Sequence, residues 1–268
     1  MQNSSIPPVS NRLTDAPSFT SDANQPASLS ALQMLVGRDD LSVVFQPIID
    51  LGTGKVYAHE ALVRCHSTPP RSPPQLFEEA IVLDCVGRLG RLIREIAVPL
   101  CAGLPVFLNV HPDELSDRWL VRPDDPVWFH DAEIFLEVTE SVPLSHFELC
   151  LGVLHELRSR GGVHLVVDDL GAGFSNLKSI SDLEPKVVKL DRELIAGLDR
   201  RPRQQRLVAG VVRLCDDLEA TVVAEGVETP EEYRALRDTG AQLGQGYLFA
   251  RPAYPVPAVS WPPAAPPS

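Results

Sequence analysis

Leu165-Val166-Val167-Asp168-Asp169-Leu170-Gly171-Ala172-Gly173 is the stretch on which the fold turns. An apolar run rich in β-branched residues ends in two adjacent carboxylates, and a glycine turn follows at once. The run reads as a buried strand, apolar on both faces, as in parallel sheets covered by helices. Acids at the carboxyl end of such a strand stand where parallel α/β folds build their active sites. Adjacent carboxylates repel each other, so a fold that holds two there usually supplies a cation. Two divalent metals a few ångströms apart are the strongest reason for the pair. The other reading is a polar turn in which Asp168 or Asp169 caps the following segment.

Outward from this stretch, strand-like and helix-like runs alternate. Leu41 to Ile49 and Lys55 to Val63 read as strands joined by the turn Asp50-Leu51-Gly52-Thr53-Gly54, a connection so short that the two must be antiparallel neighbours. Further strands are expected at Pro105 to Val110, Ile134 to Val138, the run ending at Asp168, Lys186 to Leu190, Thr221 to Ala224 and Gln245 to Phe249. Helices are expected at Val86 to Ala102, after Pro112, at His146 to Arg160, around Arg206 to Leu218 and from Thr229 to Gly240, where Thr229 is the N-cap, Pro230 the first helical residue and Gly240 the stop. About eight strands with intervening helices predict an α/β, TIM-type (β/α)8 barrel with its first strand antiparallel.

The chain has 268 residues, 44% of them hydrophobic, which suits one such barrel between two tails. Residues 1–28, rich in Ser, Pro, Asn and Asp, read as a disordered N-terminal tail. Residues 253–268 read as a Pro-rich C-terminal tail, irregular or extended. The formal net charge of −12 argues against a binder of nucleic-acid polymers. Five cysteines, odd in number and without a CxxC pair, read as reduced thiols of an intracellular protein. No signal peptide and no membrane-spanning segment is expected, so the reading is cytoplasmic.

Polar residues recur at the strand ends: Glu60, Asn109, Glu137, Asp168 with Asp169, Lys189, Glu225 and Gln245. Each sits in or beside an apolar run, where an unpaired charge is costly. Singly, each has a structural reading: Asn109 or Gln245 can satisfy backbone groups, and Lys189 can be an ion-pair partner. A barrel gathers all the ends of one face, and together they make a hard-oxygen metal site beside a cation. That donor set suits Mg²⁺ or Mn²⁺ better than zinc, since no Cys/His cluster with ligand spacing is present.

These segments resemble the EAL-domain cyclic di-GMP phosphodiesterase family. The resemblance is carried by Phe45-Gln46-Pro47-Ile48, Glu60-Ala61-Leu62-Val63-Arg64, Leu108-Asn109-Val110, Glu137-Val138-Thr139-Glu140, Asp168 to Ser175, Val188-Lys189-Leu190-Asp191, Ala224 to Thr229 and Gly244-Gln245-Gly246-Tyr247, over about residues 32–252 of a domain expected at 29–252. It implies two Mg²⁺ or Mn²⁺ ions. Glu60, Asn109, Glu137 and Asp168 would hold one, and Asp168 would bridge to a second that Asp169 also binds. It implies hydrolysis of cyclic di-GMP to linear pGpG, with Lys189 and Glu225 orienting a water and moving its proton, and Gln245 supporting the site. Arg64, and less strongly Gln46, would contact substrate. Glu140 would hold the loop after Asp169, a loop that also joins the barrel in a homodimer contact.

The pattern departs from the family at Leu170 and Ala172, where Phe and Thr are commoner, and at Cys65, His111 and Ile81. A loosened loop would slow turnover, so the alternative is a catalytically weak or silent cyclic di-GMP receptor. The scattered histidines read as surface or satisfied side chains, and Arg200-Arg201-Pro202-Arg203 as a solvated helix start. No sensor, receiver or cyclase domain is expected, since the N-terminal tail reads as too short for one. Regulation is therefore expected through oligomerisation, a regulatory protein partner or the tails.

Overall fold

The structure is a computed structural model and describes residues 25–116, 119–139, 147–159, 161–171 and 177–261. A closed barrel runs in sequence order through β1 (Leu41–Asp50), β2 (Val56–Cys65), β3 (Val106–Asn109), β4 (Ile134–Thr139), β5 (Val163–Leu170), β6 (Val187–Leu190), β7 (Thr221–Ala224) and β8 (Leu243–Gly244). Strands β2 to β8 are parallel, and β1 is antiparallel to both β2 and β8. The architecture is therefore the TIM-type α/β barrel, first strand reversed, that the sequence predicts.

Successive strand residues point to opposite faces of the sheet, so every second one enters the barrel. One apolar residue from each strand fills the interior: Ile48, Ala58, Phe107, Phe135, Val166, Val187, Val223 and Leu243. Phe107 and Phe135 stack there with ring centroids 4.4 Å apart. The outward residues of the same strands pack under the helices α1 (Gln25–Leu35), α2 (Pro73–Val82), α3 (Val86–Leu100), α4 (Pro112–Ser116), α5 (Phe147–Ser159), α6 (Leu177–Leu183), α7 (Arg192–Ile195), α8 (Pro202–Asp217) and α9 (Pro230–Asp238). The β1 to β5 side and the β6 to β8 side form two separate outer cores, and a third lies among α1, α2 and α3. No described helix is long and apolar enough to cross a membrane.

Several boundaries differ from the sequence reading. Helix α1 begins at Gln25, inside the expected N-terminal tail. Helix α8 begins at Pro202, where proline's fixed φ suits the first helical position. Strand β5 continues past Asp168 to Leu170. The last strand is Leu243–Gly244, and Gln245 to Phe249 is not a strand. After Gly244 the chain turns onto the loop behind β7: Val227 N donates to Gln245 O at 3.0 Å and Leu248 N donates to Val227 O at 3.0 Å. Only glycine fits at Gly246, because a Cβ there would overlap the Val227 backbone. Cys85, Cys101 and Cys215 are buried free thiols, and burial pushes Cys101 up to about 12 and Cys215 up to about 11.

Two buried polar devices lock the helical shell. Arg94 on α3 is 1% exposed, and its guanidinium holds the equally buried Asp125 by Nε and Nη2, with Nη2 to Oδ2 at 2.9 Å. Its Nη1 donates to Glu114 Oε2 on α4 at 2.7 Å. Removing one partner of such a cluster strands buried charge. On α9, the Glu232 carboxylate accepts from the backbone N–H of Gly197, Glu228 and Thr229, at 2.8, 3.0 and 3.0 Å. Burial opposes its charged form, but these three donors win and hold its pKa below the usual range.

Arg94→Met should destabilise the domain by about 3–5 kcal/mol in urea unfolding, a loss absent if the cluster carried no net charge penalty. Glu232→Gln should cost about 1–2 kcal/mol at neutral pH. Because the folded pKa of Glu232 lies below its unfolded value, its contribution is complete above about pH 5 and is lost as pH falls through the folded value. The stability gap between the two proteins should therefore close toward acid pH, and a gap independent of pH would refute the assignment.

Candidate active site

Two residues beyond the apolar layer, toward the carboxyl ends of the parallel strands, the interior changes character. The same faces now carry Glu60, Asn109, Glu137, Asp168, Lys189, Glu225 and Gln245. Antiparallel β1 supplies Gln46, two residues before Ile48. Pairing across the barrel keeps them level: Gln46 faces Glu60, and Asn109 faces Glu137. One polar side chain thus comes from each strand, or from the residue just beyond it.

Lys189 stands at the centre and is 1% exposed. Its Nζ lies 2.6 Å from Glu225 Oε1, 2.7 Å from Glu137 Oε1, 3.2 Å from Asp168 Oδ1 and 3.6 Å from Glu60 Oε1. The ammonium is costly to bury, but these four carboxylates hold its pKa well above the ordinary value. They outnumber it. Burial, with the charges of Glu60 and Asp168 and against the pull of Lys189, drives the carboxyl of Glu137 far upward. Burial also raises that of Glu225, with Lys189 opposing and Asp168 and Glu60 adding to the rise. Glu137 Oε2 is buried without a hydrogen-bond partner.

Amides brace the other side. Gln245 Nε2 donates to Glu60 Oε2 at 2.6 Å and to Gln46 Oε1 at 3.1 Å. Asn109 Nδ2 donates to Glu60 Oε1 at 3.3 Å. Gln46 Nε2 donates to Ala250 O at 3.0 Å.

Strict alternation would send Asp169 out of the barrel, away from Asp168. The β5–β6 register instead shifts between Val167 and Leu170, and Asp169 takes a left-handed φ of 59°. Bulges of this kind re-aim side chains. Asp168, Asp169 and Glu225 each bring a carboxylate oxygen to a point where all lie within 4.8 Å of one another. The excess of carboxylates over ammonium, the orphaned Glu137 oxygen and the all-oxygen donor set fit hard divalent cations.

The structure brings together Glu60, Asn109, Glu137, Asp168, Asp169, Lys189, Glu225, Gln245 and Gln46, all nominated from sequence. Arg64 lies apart: it is on the Glu60 side of β2, four residues on, with Nη1 donating to Val63 O at 2.9 Å. Glu140 and Ala172 lie outside the described residues. A cleft of about 240 Å³ opens over the cluster, and its walls add residues that the sequence reading gave no role: Leu62, Arg192, Glu228 and Tyr247. Arg192 Nη2 pairs with Glu228 Oε1 at 2.9 Å, and the Arg251 guanidinium covers the Tyr247 ring at 4.2 Å. Glu228 and Tyr247 were within reach of the sequence, since each lies beside a nominated strand end. Arg192 carried the same signal, three residues past Lys189 as Glu228 is three past Glu225.

Comparison with known proteins agrees with this geometry. The EAL domain family matches residues 29–252. The chain belongs to the EAL-domain family. Among relatives of this EAL domain, the Escherichia coli cyclic di-GMP phosphodiesterase PdeR is 32% identical over 245 residues, covering 86% of this chain and 36% of PdeR. The E. coli blue light- and temperature-regulated antirepressor BluF is 28% identical over 231 residues, covering 81% of this chain and 56% of BluF. The chain thus spans only part of each. A solved Klebsiella pneumoniae BlrP1 complex with manganese and cyclic di-GMP superposes with a TM-score of 0.69 at 32% identity, over 80% of this EAL domain and 56% of that chain.

Lys189→Met in chelator-treated protein should lose about 3–5 kcal/mol of stability, because it leaves the buried carboxylates without a counter-charge. Unchanged urea unfolding would show that the ammonium does not offset them.

Proposed function

We propose that this EAL domain is a metal-dependent phosphodiesterase that hydrolyses cyclic di-GMP to linear pGpG. The observation that carries the reading is the complete polar layer, with no strand lacking its contribution. Glu60, Asn109, Glu137 and Asp168 would hold one Mg²⁺ or Mn²⁺, and Asp168 with Asp169 a second. Ions held there would acidify a water and offset charge on the phosphate.

The chain's own groups supply the rest. Glu225 and Lys189, paired at 2.6 Å, can both reach an attacking water beside them, one as acceptor and the other as donor. Glu225 takes the water's proton as the oxygen bonds to phosphorus. The bond from phosphorus to the ribose 3′ oxygen breaks, and Lys189 can return a proton to that oxygen. A 5′ phosphate on a linear dinucleotide is the product. Gln245 holds Glu60 in place. The cleft wall of Leu62, Tyr247 and the Arg192–Glu228 pair is suited to the nucleoside, and Arg64 to a phosphate oxygen. Glu140 would steady the loop after Asp169, and that loop with the barrel would form a homodimer open to a regulatory partner in the cytoplasm. The catalytic unit would be residues 29–252.

A receptor that binds cyclic di-GMP without turnover is the second reading, favoured by the likeness to BluF, an antirepressor by name. Every residue nominated as a metal ligand is present here, which favours the enzyme.

With Mg²⁺ or Mn²⁺, purified protein should convert cyclic di-GMP to pGpG on chromatography, and chelator should stop it. Glu60→Ala should lower kcat at least 100-fold, about 3 kcal/mol of transition-state stabilisation. Binding without any pGpG under either metal would establish the receptor instead.

A further inference from the structure

The family match ends at residue 252, but packing against the barrel does not. Beyond that point the chain runs back across the seam between β8 and β1. This seam is short, since β8 has two residues and pairs with β1 only at Ile49 and Asp50. Above that pairing, residue 253 takes over as the neighbour of β1: Phe45 N donates to Ala253 O at 2.9 Å and Ala253 N donates to Phe45 O at 3.0 Å. Val256 then packs on the outer core of the β1 to β5 side, and Val259 and Trp261 pack on that of the β6 to β8 side. The segment therefore fastens the two cores together.

Its far end is anchored. Ser260 N donates to Phe249 O at 2.8 Å, and the Trp261 ring stacks on Phe249 at 6.1 Å and meets Tyr233 edge-on at 5.5 Å. Gly54 in the β1–β2 turn leaves room for that indole, which a Cβ would overlap.

The two points that the segment grips are Phe45 and Phe249. They immediately precede Gln46 and Ala250, the two ends of the hydrogen bond that begins the chain Ala250 O, Gln46, Gln245, Glu60. We propose that residues 253–261 form a strap that positions Glu60 for metal binding by fixing Gln46 against Ala250. Gln46 is thus a positioning residue, its amide committed at both ends. The inference rests on the metal-site reading of the polar layer above. Outer partners of this kind typically change metal affinity by 10–100-fold.

The test is a double-mutant cycle in the full chain on Mn²⁺ affinity, read by electron paramagnetic resonance of free Mn²⁺, without substrate. Trp261→Ala and Gln46→Ala should each weaken Mn²⁺ binding about tenfold, and the pair together no more than either alone, because they act through one path. Where the domain turns over, kcat of Trp261→Ala should fall with affinity while its KM for cyclic di-GMP moves less than twofold. Additive losses, or full Mn²⁺ affinity in a folded Trp261→Ala protein, overturn the proposal. If Trp261→Ala fails to fold, Val259→Ala takes its place in the cycle. Should the unaltered chain bind Mn²⁺ but leave cyclic di-GMP intact, the activity falls and the cycle still decides the strap. Absence of Mn²⁺ binding overturns both.

Discussion

Everything in this barrel hangs on a period of two. Once the strands close, each places alternate residues on the axis, and strand pairing keeps those residues level from one strand to the next. A layer of eight apolar side chains plugs the interior. Two steps further along, the same faces must either continue apolar or pay for polarity, and here all turn polar at one height. The apolar plug below excludes water from beneath the layer, which strengthens every charge interaction above it. Lys189 is tolerable only because carboxylates surround it, and they in turn are crowded because they outnumber it. The site is an electrostatic deficit held open by a rigid scaffold, and that deficit is what a cation would relieve.

The exceptions to the period are as informative as the rule. Asp169 escapes its outward assignment through a bulge and a left-handed φ, a conformation seldom taken by residues other than glycine, asparagine and aspartate. With it, three carboxylate oxygens gain a common neighbourhood. Asp84, Glu184 and Glu219 also take a positive φ, so what sets Asp169 apart is its place at the polar layer.

What could be read from sequence follows the same physics. Glu60, Glu137, Asp168 and Lys189 announce themselves because a charge inside an apolar strand is expensive, and chance rarely repeats that expense on several strands. The reversed first strand was legible because its turn is too short for a crossover. The Arg94–Glu114–Asp125 cluster was not legible: its partners lie 20 and 31 residues from Arg94, and nothing local distinguishes them from surface charges. The short β8 was misplaced because Tyr247, Leu248 and Phe249 look like a strand, while the close approach at Gly246 that forbids one is a tertiary fact. The residues after 252 read as a tail because proline-rich composition dominates, and one tryptophan in it gives no periodicity to interpret.

Reversal of β1 also changes how the barrel is wired. In a barrel of uniformly parallel strands, the chain enters its first strand at the end opposite the catalytic rim. Here β1 starts at Leu41 on the same rim as Gln46, and α1 lies just before it. A segment joined upstream of α1 would therefore enter the barrel on its working side, five residues from a side chain of the polar layer. The relatives of this EAL domain are longer chains, and this wiring means that a tug on such a connection reaches the site without crossing the barrel's depth.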